Sequence, residues 1–345
     1  FEIRLIFKMS DFLKRLIDIA DVFEIVPYYA YRYPGMYPFD VDKIVVFGRI
    51  QEDRYQNPLS GELLQNLGDP DSQIRTLLHD ATPDTKENIS VKISIEGLED
   101  EIVTTNEDGF YHKIFHVQKD FPYTVTEGTV SIEESCLGRF QKQDSLFRMF
   151  EIINSNPEDV KFAVISDVDD TILQSNVNER LRLLYNTLIV KTEDRIATPG
   201  TQEFYQDLHN GKNPFFYVSN SPAVLYPSIK KFVEEKNFPN GPVLLRNLDL
   251  EQLRNRNHKE NTIEEIIGAY PFYKYILIGD SSEKDLRIYS EIVKKYESKV
   301  ALVLIRDVGL ADKASEAQNF INELNHQNVK FLIFKDYTEP RTICK

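Results

Sequence analysis

Three carboxylates stand within four residues at Asp167-Val168-Asp169-Asp170, directly after the apolar run Phe162–Ser166, and Thr171 follows them. Like charges this close repel one another and are costly to bury. A hard divalent cation with oxygen ligands offsets that cost, and Mg²⁺ typically uses one or two carboxylates plus substrate phosphate. Two carboxylates at i and i+2 can face one crevice, one as nucleophile and the other as proton donor. Val218-Ser219-Asn220-Ser221-Pro222 ends a second apolar run with hydroxyl and amide donors suited to a phosphoryl oxygen. Ile278-Gly279-Asp280, with Asp285 beyond it, adds two metal-oriented acids beside a glycine that permits close backbone approach. Lys259 supplies the missing positive charge, able to neutralise the nucleophile and a transferring phosphoryl group. Each feature alone has an ordinary reading, because Asp and Ser populate turns and caps and Lys at a helix start is usually solvated. Their combination, in order and at successive strand ends, points to phosphoryl transfer.

The elements that must position these residues are legible from residue 160 onward. Apolar runs predict strands at Phe162–Ser166, Phe215–Val218, Pro242–Leu245, Tyr275–Ile278, Ala301–Ile305 and Lys330–Phe334. Helical patterns lie between them near 201–210, 222–236, 259–269, 283–298 and 312–326. Alternating helices and fully apolar strands predict a parallel sheet covered on both faces, an α/β unit with its chemistry at the carboxyl ends of the strands.

That constellation resembles the haloacid dehalogenase-like phosphohydrolases. Asp167, Asp169 and Thr171 match their DxDx(T/V) motif, Ser219 the second motif, Lys259 the third, and Asp280 with Asp285 the acidic fourth. Longer strings are similar to the actin-patch-protein type of phosphatidate phosphatase domain: Val164–Ile172, Phe216–Pro222, Phe238–Arg246, His258-Lys259 and Leu277–Asp285. The likeness covers roughly residues 160–340. It implies a Rossmann-like sheet in which Asp167 attacks phosphorus and Asp169 protonates the leaving oxygen and then activates water. It also implies Mg²⁺ held by the Asp167 carboxylate, the Asp169 carbonyl and Asp280, with Asp285 supporting through water. Thr171 would position the loop, Ser219 and Lys259 would bind phosphoryl oxygens, and Asn220 and Arg246 are candidate substrate contacts. Ser282 stands where that family commonly has Gly, a departure that leaves both acids in place.

The N-terminal half reads differently. Ser10 caps an amphipathic pattern over about 10–24, either packed on the protein or lying on a membrane; its polar face is mixed in sign, which favours packing. Residues 27–38, rich in Tyr and Pro, read as a connector whose tyrosines cover a neighbouring surface or form a carbohydrate platform. Strands are predicted at Lys43–Ile50, Val91–Ile95, Ile102–Thr105, Phe110–Phe115, Tyr123–Val125 and Thr129–Ile132, with the turn Asn106–Gly109 closing a hairpin. This suggests a small antiparallel β-sandwich, a module that members of the same family often carry. Residues 51–88 read as a long polar loop. The expected organisation is an N-terminal helix and connector over 1–39, a β-sandwich over 40–150 and the phosphatase unit over 151–345. The eight residues before Met9 read as an upstream extension.

Composition bounds the partners. A net charge of −14 over 345 residues counts against nucleic acid, which wants a basic footprint, and against permanent adhesion to an anionic bilayer. No apolar run approaches the roughly 18 residues that span a membrane, and no secretory signal pattern opens the chain, so the expected compartment is the cytoplasm. Cys136 and Cys344 lack any CxxC pairing and read as reduced thiols. The spacings Asp167–Ser219 and Ser219–Lys259 leave no room for a separate cap domain, and an open site suits a phosphate presented on something large. The run Leu181–Val190 would touch acyl chains if exposed, or pack as core.

Three functions follow. The first is a Mg²⁺-dependent phosphatidate phosphatase acting on a phosphorylated lipid, with transient contact at a membrane surface. The second is the same chemistry on a phosphoprotein or soluble phosphomonoester. The third is a non-catalytic scaffold binding a partner through the β-sandwich. Arg180, Arg182, Lys191, Lys230, Lys231, Lys236 and Arg246 could offset the acidity at a lipid surface if they share a face.

Overall fold

Alternating apolar residues build the first sheet. The computed structural model describes residues 23–33, 41–52, 85–142, 144–154, 159–173, 196–222, 225–246, 257–281, 284–309, 314–327 and 329–343. The strands are β1 (Phe23–Tyr33), β2 (Asp42–Glu52), β3 (Ser90–Ile95), β4 (Glu101–Thr104), β5 (Phe110–Val117), β6 (Glu127–Ile132) and β7 (Phe147–Ile153). They join in the order β4-β3-β6-β7-β1-β2-β5. On β3, Val91, Ile93 and Ile95 point inward with the period of two that a half-buried strand requires. They share one core with Ile44 and Val46 of β2 and Phe115 of β5, so the sheet curls around its own apolar face. Lys113 of β5 and Glu101 of β4, on opposite edge strands, meet at 2.7 Å.

Three expectations are corrected here. Residues 27–33, expected in the connector, belong instead to strand β1, which pairs with β2 from Phe23↔Glu52 to Tyr33↔Lys43; 34–38 lie outside the described residues. Proline interrupts a strand ladder unless it sits at a bulge or an edge. Pro27 sits at the register shift between Pro27 and Tyr29, which is how a proline-bearing segment becomes a long internal strand. The sheet is not purely antiparallel either, because β1 and β7 run parallel through Ala30↔Ile152 and Tyr31↔Ile153. Tyr123–Val125 turns rather than pairing: Val125 N–H bonds the Pro122 carbonyl, and the Tyr123 ring lies 3.8 Å beneath the buried guanidinium of Arg32. The predicted helix over 10–24 lies outside the described residues except for 23 and 24, which belong to β1. Most of the 51–88 loop, the run Leu181–Val190 and Cys344 also lie outside them.

Fully apolar strands build the second sheet. Along the chain it comprises β8 (Ala163–Ser166), α1 (Thr201–His209), β9 (Phe215–Pro222), α2 (Tyr226–Glu235), β10 (Val243–Arg246) and α3 (His258–Ala269). There follow β11 (Tyr275–Asp280), α4 (Asp285–Tyr296), β12 (Val300–Arg306), α5 (Ala314–His326), β13 (Lys330–Phe334) and α6 (Thr338–Ile343). All these strands pair in parallel, in the order β10-β9-β8-β11-β12-β13. Helices cover both faces. Phe204, Ile229 and Phe232 pack on Val164, Tyr217 and Ile278 from one side, and Ile263, Ile292 and Phe320 pack on Ile165, Leu277 and Val303 from the other. Burying each such side chain contributes about 1.5–3 kcal/mol, which is why strands clad on both sides carry no polar alternation.

The strand order decides where a site can lie. The chain winds outward from β8 through β9 to β10, then returns to the other side of β8 with β11. In doubly wound sheets ligands bind outside the carboxyl ends of the strands at that reversal. The residues that follow β8 and end β11 are Asp167 and Asp280.

The two sheets meet through aromatic side chains. Tyr28 of β1 stacks on Tyr226 of α2 with centroids 4.3 Å apart, and the Tyr226 hydroxyl donates to the backbone carbonyl of Tyr28. A tyrosine of β1 thus covers a neighbouring surface.

Candidate active site

The loop after β8 is held from several directions. The Asp167 N–H donates to the Ile278 carbonyl at 2.8 Å, the last sheet bond before the chain leaves the ladder. The amides of Ile172 and Leu173 both return to the Val168 carbonyl, closing a tight turn in which Asp170 adopts φ 55°. Asp is among the side chains that tolerate this left-handed conformation. Arg306, at the end of β12, donates to the Asp170 carbonyl at 2.6 Å, and the Tyr337 hydroxyl donates to that of Thr171 at 3.2 Å. Ser166 lies at the base of the loop, its hydroxyl within 2.8 Å of the Tyr205 hydroxyl.

Each oxygen of the Asp167 carboxylate has its own partner. Lys259 Nζ donates to Oδ1 at 2.7 Å, and Thr171 Oγ1 donates to Oδ2 at 3.0 Å. Lys259 comes from the first turn of α3 and also donates to Asp285, the first residue of α4. All three charged groups are about 1% exposed or less. Burial pulls the Lys259 ammonium down, but Asp167 and Asp285 outweigh it and hold the group well above the usual lysine range. It is therefore a fixed positive charge at neutral pH.

One lysine does not balance the acids around it. Asp167, Asp280 and Asp285 each offer a carboxylate oxygen within 4.8 Å of the others, and all three are buried. Burial pushes the Asp285 carboxyl up, against the pull of Lys259, and Asp280 adds to the push. A buried all-oxygen donor set with surplus negative charge is the chemistry that a hard divalent cation satisfies. Asp280 is also tied into the cluster by Thr171 Oγ1 at 3.5 Å, and its N–H faces Asp285 Oδ2 at 3.4 Å.

Asp169 occupies a different position. It is half-buried, and its Oδ2 accepts hydrogen bonds from Ser219 Oγ and Ser221 Oγ, each at 2.8 Å. Its carboxylate is not among the three that cluster; only its carbonyl was expected to face a metal. Ser219 in turn accepts the Ser221 N–H at 2.8 Å, which fixes the end of β9. The described contacts thus join Asp167, Thr171, Lys259, Asp280 and Asp285 in one network and Asp169 and Ser219 in a second. They do not bring Asn220 or Arg246 into hydrogen-bond contact with either. Arg246 ends β10 with its Nε buried and without a partner among the described residues.

Two residues gain roles that the sequence reading did not assign. Ser221 is equivalent to Ser219 as an Asp169 donor, and the signal was present, since i and i+2 on a strand share a face. His258 precedes Lys259, and its Nε2 is likewise buried without a partner among the described residues. Burial holds its imidazole below the usual histidine range, and Arg246 and Lys259 add to the effect.

Comparison with known proteins places this site inside a recognised domain. Residues 162–307 match the family model described as phosphatidate phosphatase APP1, catalytic domain. Phosphatidate phosphatase APP1 of Saccharomyces cerevisiae is 29% identical over 171 residues, 47% of this chain and 29% of that protein. An uncharacterized protein of Schizosaccharomyces pombe is 25% identical over 238 residues, 64% of this chain and 38% of that protein. The chain thus spans between a quarter and two fifths of the length of these curated relatives. A class C acid phosphatase from Bacillus anthracis, solved with tungstate bound, is similar at a TM-score of 0.28 and 16% identity, over 51% of this chain and 67% of that one.

Proposed function

We propose that this chain, whose residues 162–307 match the model of the phosphatidate phosphatase APP1 catalytic domain, is a Mg²⁺-dependent phosphomonoester hydrolase acting on phosphatidate through an aspartyl-phosphate intermediate. The observation that carries the reading is the Asp167 carboxylate, held at one oxygen by Lys259 and at the other by Thr171, at the switch point of the parallel sheet. A carboxylate fixed at both ends is pre-oriented as a nucleophile.

The reaction divides into two displacements. An Asp167 oxygen attacks phosphorus, the ester bond to the leaving oxygen breaks, and protonated Asp169 gives that oxygen its proton. Asp169, now a carboxylate, takes a proton from water. The resulting hydroxide attacks phosphorus, and the bond to Asp167 breaks to release inorganic phosphate. Ser219 and Ser221 hold the Asp169 carboxylate between these steps. Lys259 offsets the charge of Asp167 and of the phosphoryl oxygens, which is worth more in a buried site than in water. Asp167, Asp280 and Asp285 would hold Mg²⁺ together with the Asp169 carbonyl, and the ion supplies charge neutralisation between carboxylates and phosphoryl group.

Among the described residues no helix is long and apolar enough to cross a membrane. We place the protein in the cytoplasm with transient access to lipid surfaces. On α2, Lys230 and Lys231 are paired with Glu234 and Glu235, so these two do not form a free basic patch.

The test is phosphate release from phosphatidate in mixed micelles, lysophosphatidate, a phosphopeptide and an aryl phosphate, with and without Mg²⁺. Release from the lipids that needs Mg²⁺ and disappears in Asp167→Asn supports the reading. Greater activity on the soluble esters than on the lipids transfers the site to the second substrate class. No release from any of them leaves the β module as a binding scaffold.

A further inference from the structure

Beside the phosphoryl site lies a cavity of about 410 Å³ between the two sheets. Its inner wall is α3. His258, Thr262, Ile266 and Ala269 line it, and the spacing of three and four residues puts them on one helical face. That face runs about 16 Å, at 1.5 Å of rise per residue. The opposite wall comes from the first sheet and α2: Phe47 and Phe110 stack at 5.2 Å, and Tyr28 meets both edge-on while stacking on Tyr226. Tyr31 and Tyr270 close the far end with centroids 6.0 Å apart. Asn261 and Glu265, both exposed, form the outer rim.

One end of the cavity lies next to the reaction centre along the chain. His258, at one end, is chain neighbour to Lys259, which holds Asp167. Leu244 and Leu245 of β10 line the cavity and lead directly to Arg246. At that same end His258 Nε2 is buried without a partner among the described residues, as is the Nε of Arg246, the residue that follows Leu245. Buried polar nitrogens without partners mark a place where a polar ligand group completes the bonding. An aromatic trough that starts from such a pair fits a molecule with an anionic head and an apolar tail. The volume lies within the range of ligand pockets, roughly 300–1,000 Å³.

We infer that this cavity binds an acyl chain of the phosphorylated substrate, with His258 and Arg246 bonding ester or phosphate oxygens at its mouth and the tail lying along α3 against the aromatic wall. The inference rests on the hydrolase reading above and names the feature of the substrate that its site selects. The β module then acts as half of the lipid pocket.

The test separates the cavity from the chemistry. In the full chain carrying Asp167→Asn, so that ligand is not consumed, binding of butyl phosphate and of dodecyl phosphate below its micelle concentration is measured by calorimetry with Mg²⁺ present. Two buried methylenes suffice for about tenfold, so dodecyl phosphate is expected to bind at least about tenfold tighter. Adding Ala269→Trp at the far end, or Asn261→Trp on the rim, should reduce that ratio to within about threefold while leaving butyl phosphate unaffected. Thermal melts identify any variant that fails to fold, and Asn261 is exposed, so one occluded chain stays testable. Equal binding of the two esters, or a ratio untouched by both tryptophans, overturns the inference. Phosphate release by the unsubstituted chain together with length-blind binding rejects the cavity alone. Length-dependent binding without release by the unsubstituted chain rejects the hydrolase reading and retains the cavity.

Discussion

A methyl group on Gly279 would lie 2.3 Å from Oδ2 of Asp285, and 2.9 Å from the ring of Tyr289. The glycine of β11 is therefore what lets the first residue of α4 bring its carboxylate back to Lys259. Gly279→Ala should displace that carboxylate, lowering the rate of phosphate release by about tenfold or more. It should cost about 1–3 kcal/mol of stability, the usual range for overpacking a close-packed site. Steady-state kinetics and a denaturant melt check both, and an unchanged rate would mean that the position of Asp285 is immaterial to turnover.

Lys259→Met removes the cation that bridges Asp167 and Asp285 and leaves two buried carboxylates close together. Breaking a buried pair from one side costs about 3–5 kcal/mol. A divalent ion in the acidic cluster would offset part of that cost in the variant more than in the parent. Mg²⁺ should therefore raise the melting temperature of Lys259→Met further than that of the unsubstituted chain, although activity is lost. Equal Mg²⁺ shifts in the two proteins would place the ion elsewhere.

Ser221→Ala tests the second Asp169 donor. A hydrogen bond to a charged group contributes about 1.5–3 kcal/mol, so each serine should be worth about ten- to a hundredfold in rate if the Asp169 carboxylate must be held in the transition state. Ser219→Ala should cost more, since Ser219 also accepts the Ser221 N–H. A Ser221→Ala chain with full activity would confine the Asp169 contact to the resting enzyme.

These residues show what the sequence carries and what it conceals. The strands of the parallel sheet and the helices between them follow the predicted spans within a few residues, because strands clad on both faces are continuous apolar runs and the helices between them are long; the short α6 has no predicted span. Asp167 and Asp280 could be picked out because they stand at the ends of apolar runs, whereas Lys259 and Asp285 have ordinary readings alone and stand out only in combination with them. β1 was hidden because Pro27 looks like a strand breaker until its bulge is seen. Arg32 was hidden because a buried arginine is uncommon, and nothing local announces Asp42 at 2.6 Å or the Tyr123 ring beneath it. The pairing of β1 with β7, and the cavity between the sheets, arise from contacts between segments more than a hundred residues apart. No local pattern encodes them.

Burial also sets how the protein meets alkali. It pushes the phenols of Tyr28, Tyr205, Tyr217 and Tyr289 above the usual tyrosine range, well above it for the last three. For each, the folded chain keeps a proton that the unfolded chain gives up near pH 10. Above about pH 10 the folded state binds more protons than the unfolded state, so stability falls as pH rises until the folded groups ionise. Below that pH the contribution is fully present. A phenolate absorbance titration should therefore show two phases. Exposed tyrosines titrate reversibly near pH 10, and the buried ones ionise together at higher pH, coincident with loss of the near-ultraviolet circular dichroism. A single phase covering all 18 tyrosines with the fold intact would contradict their burial.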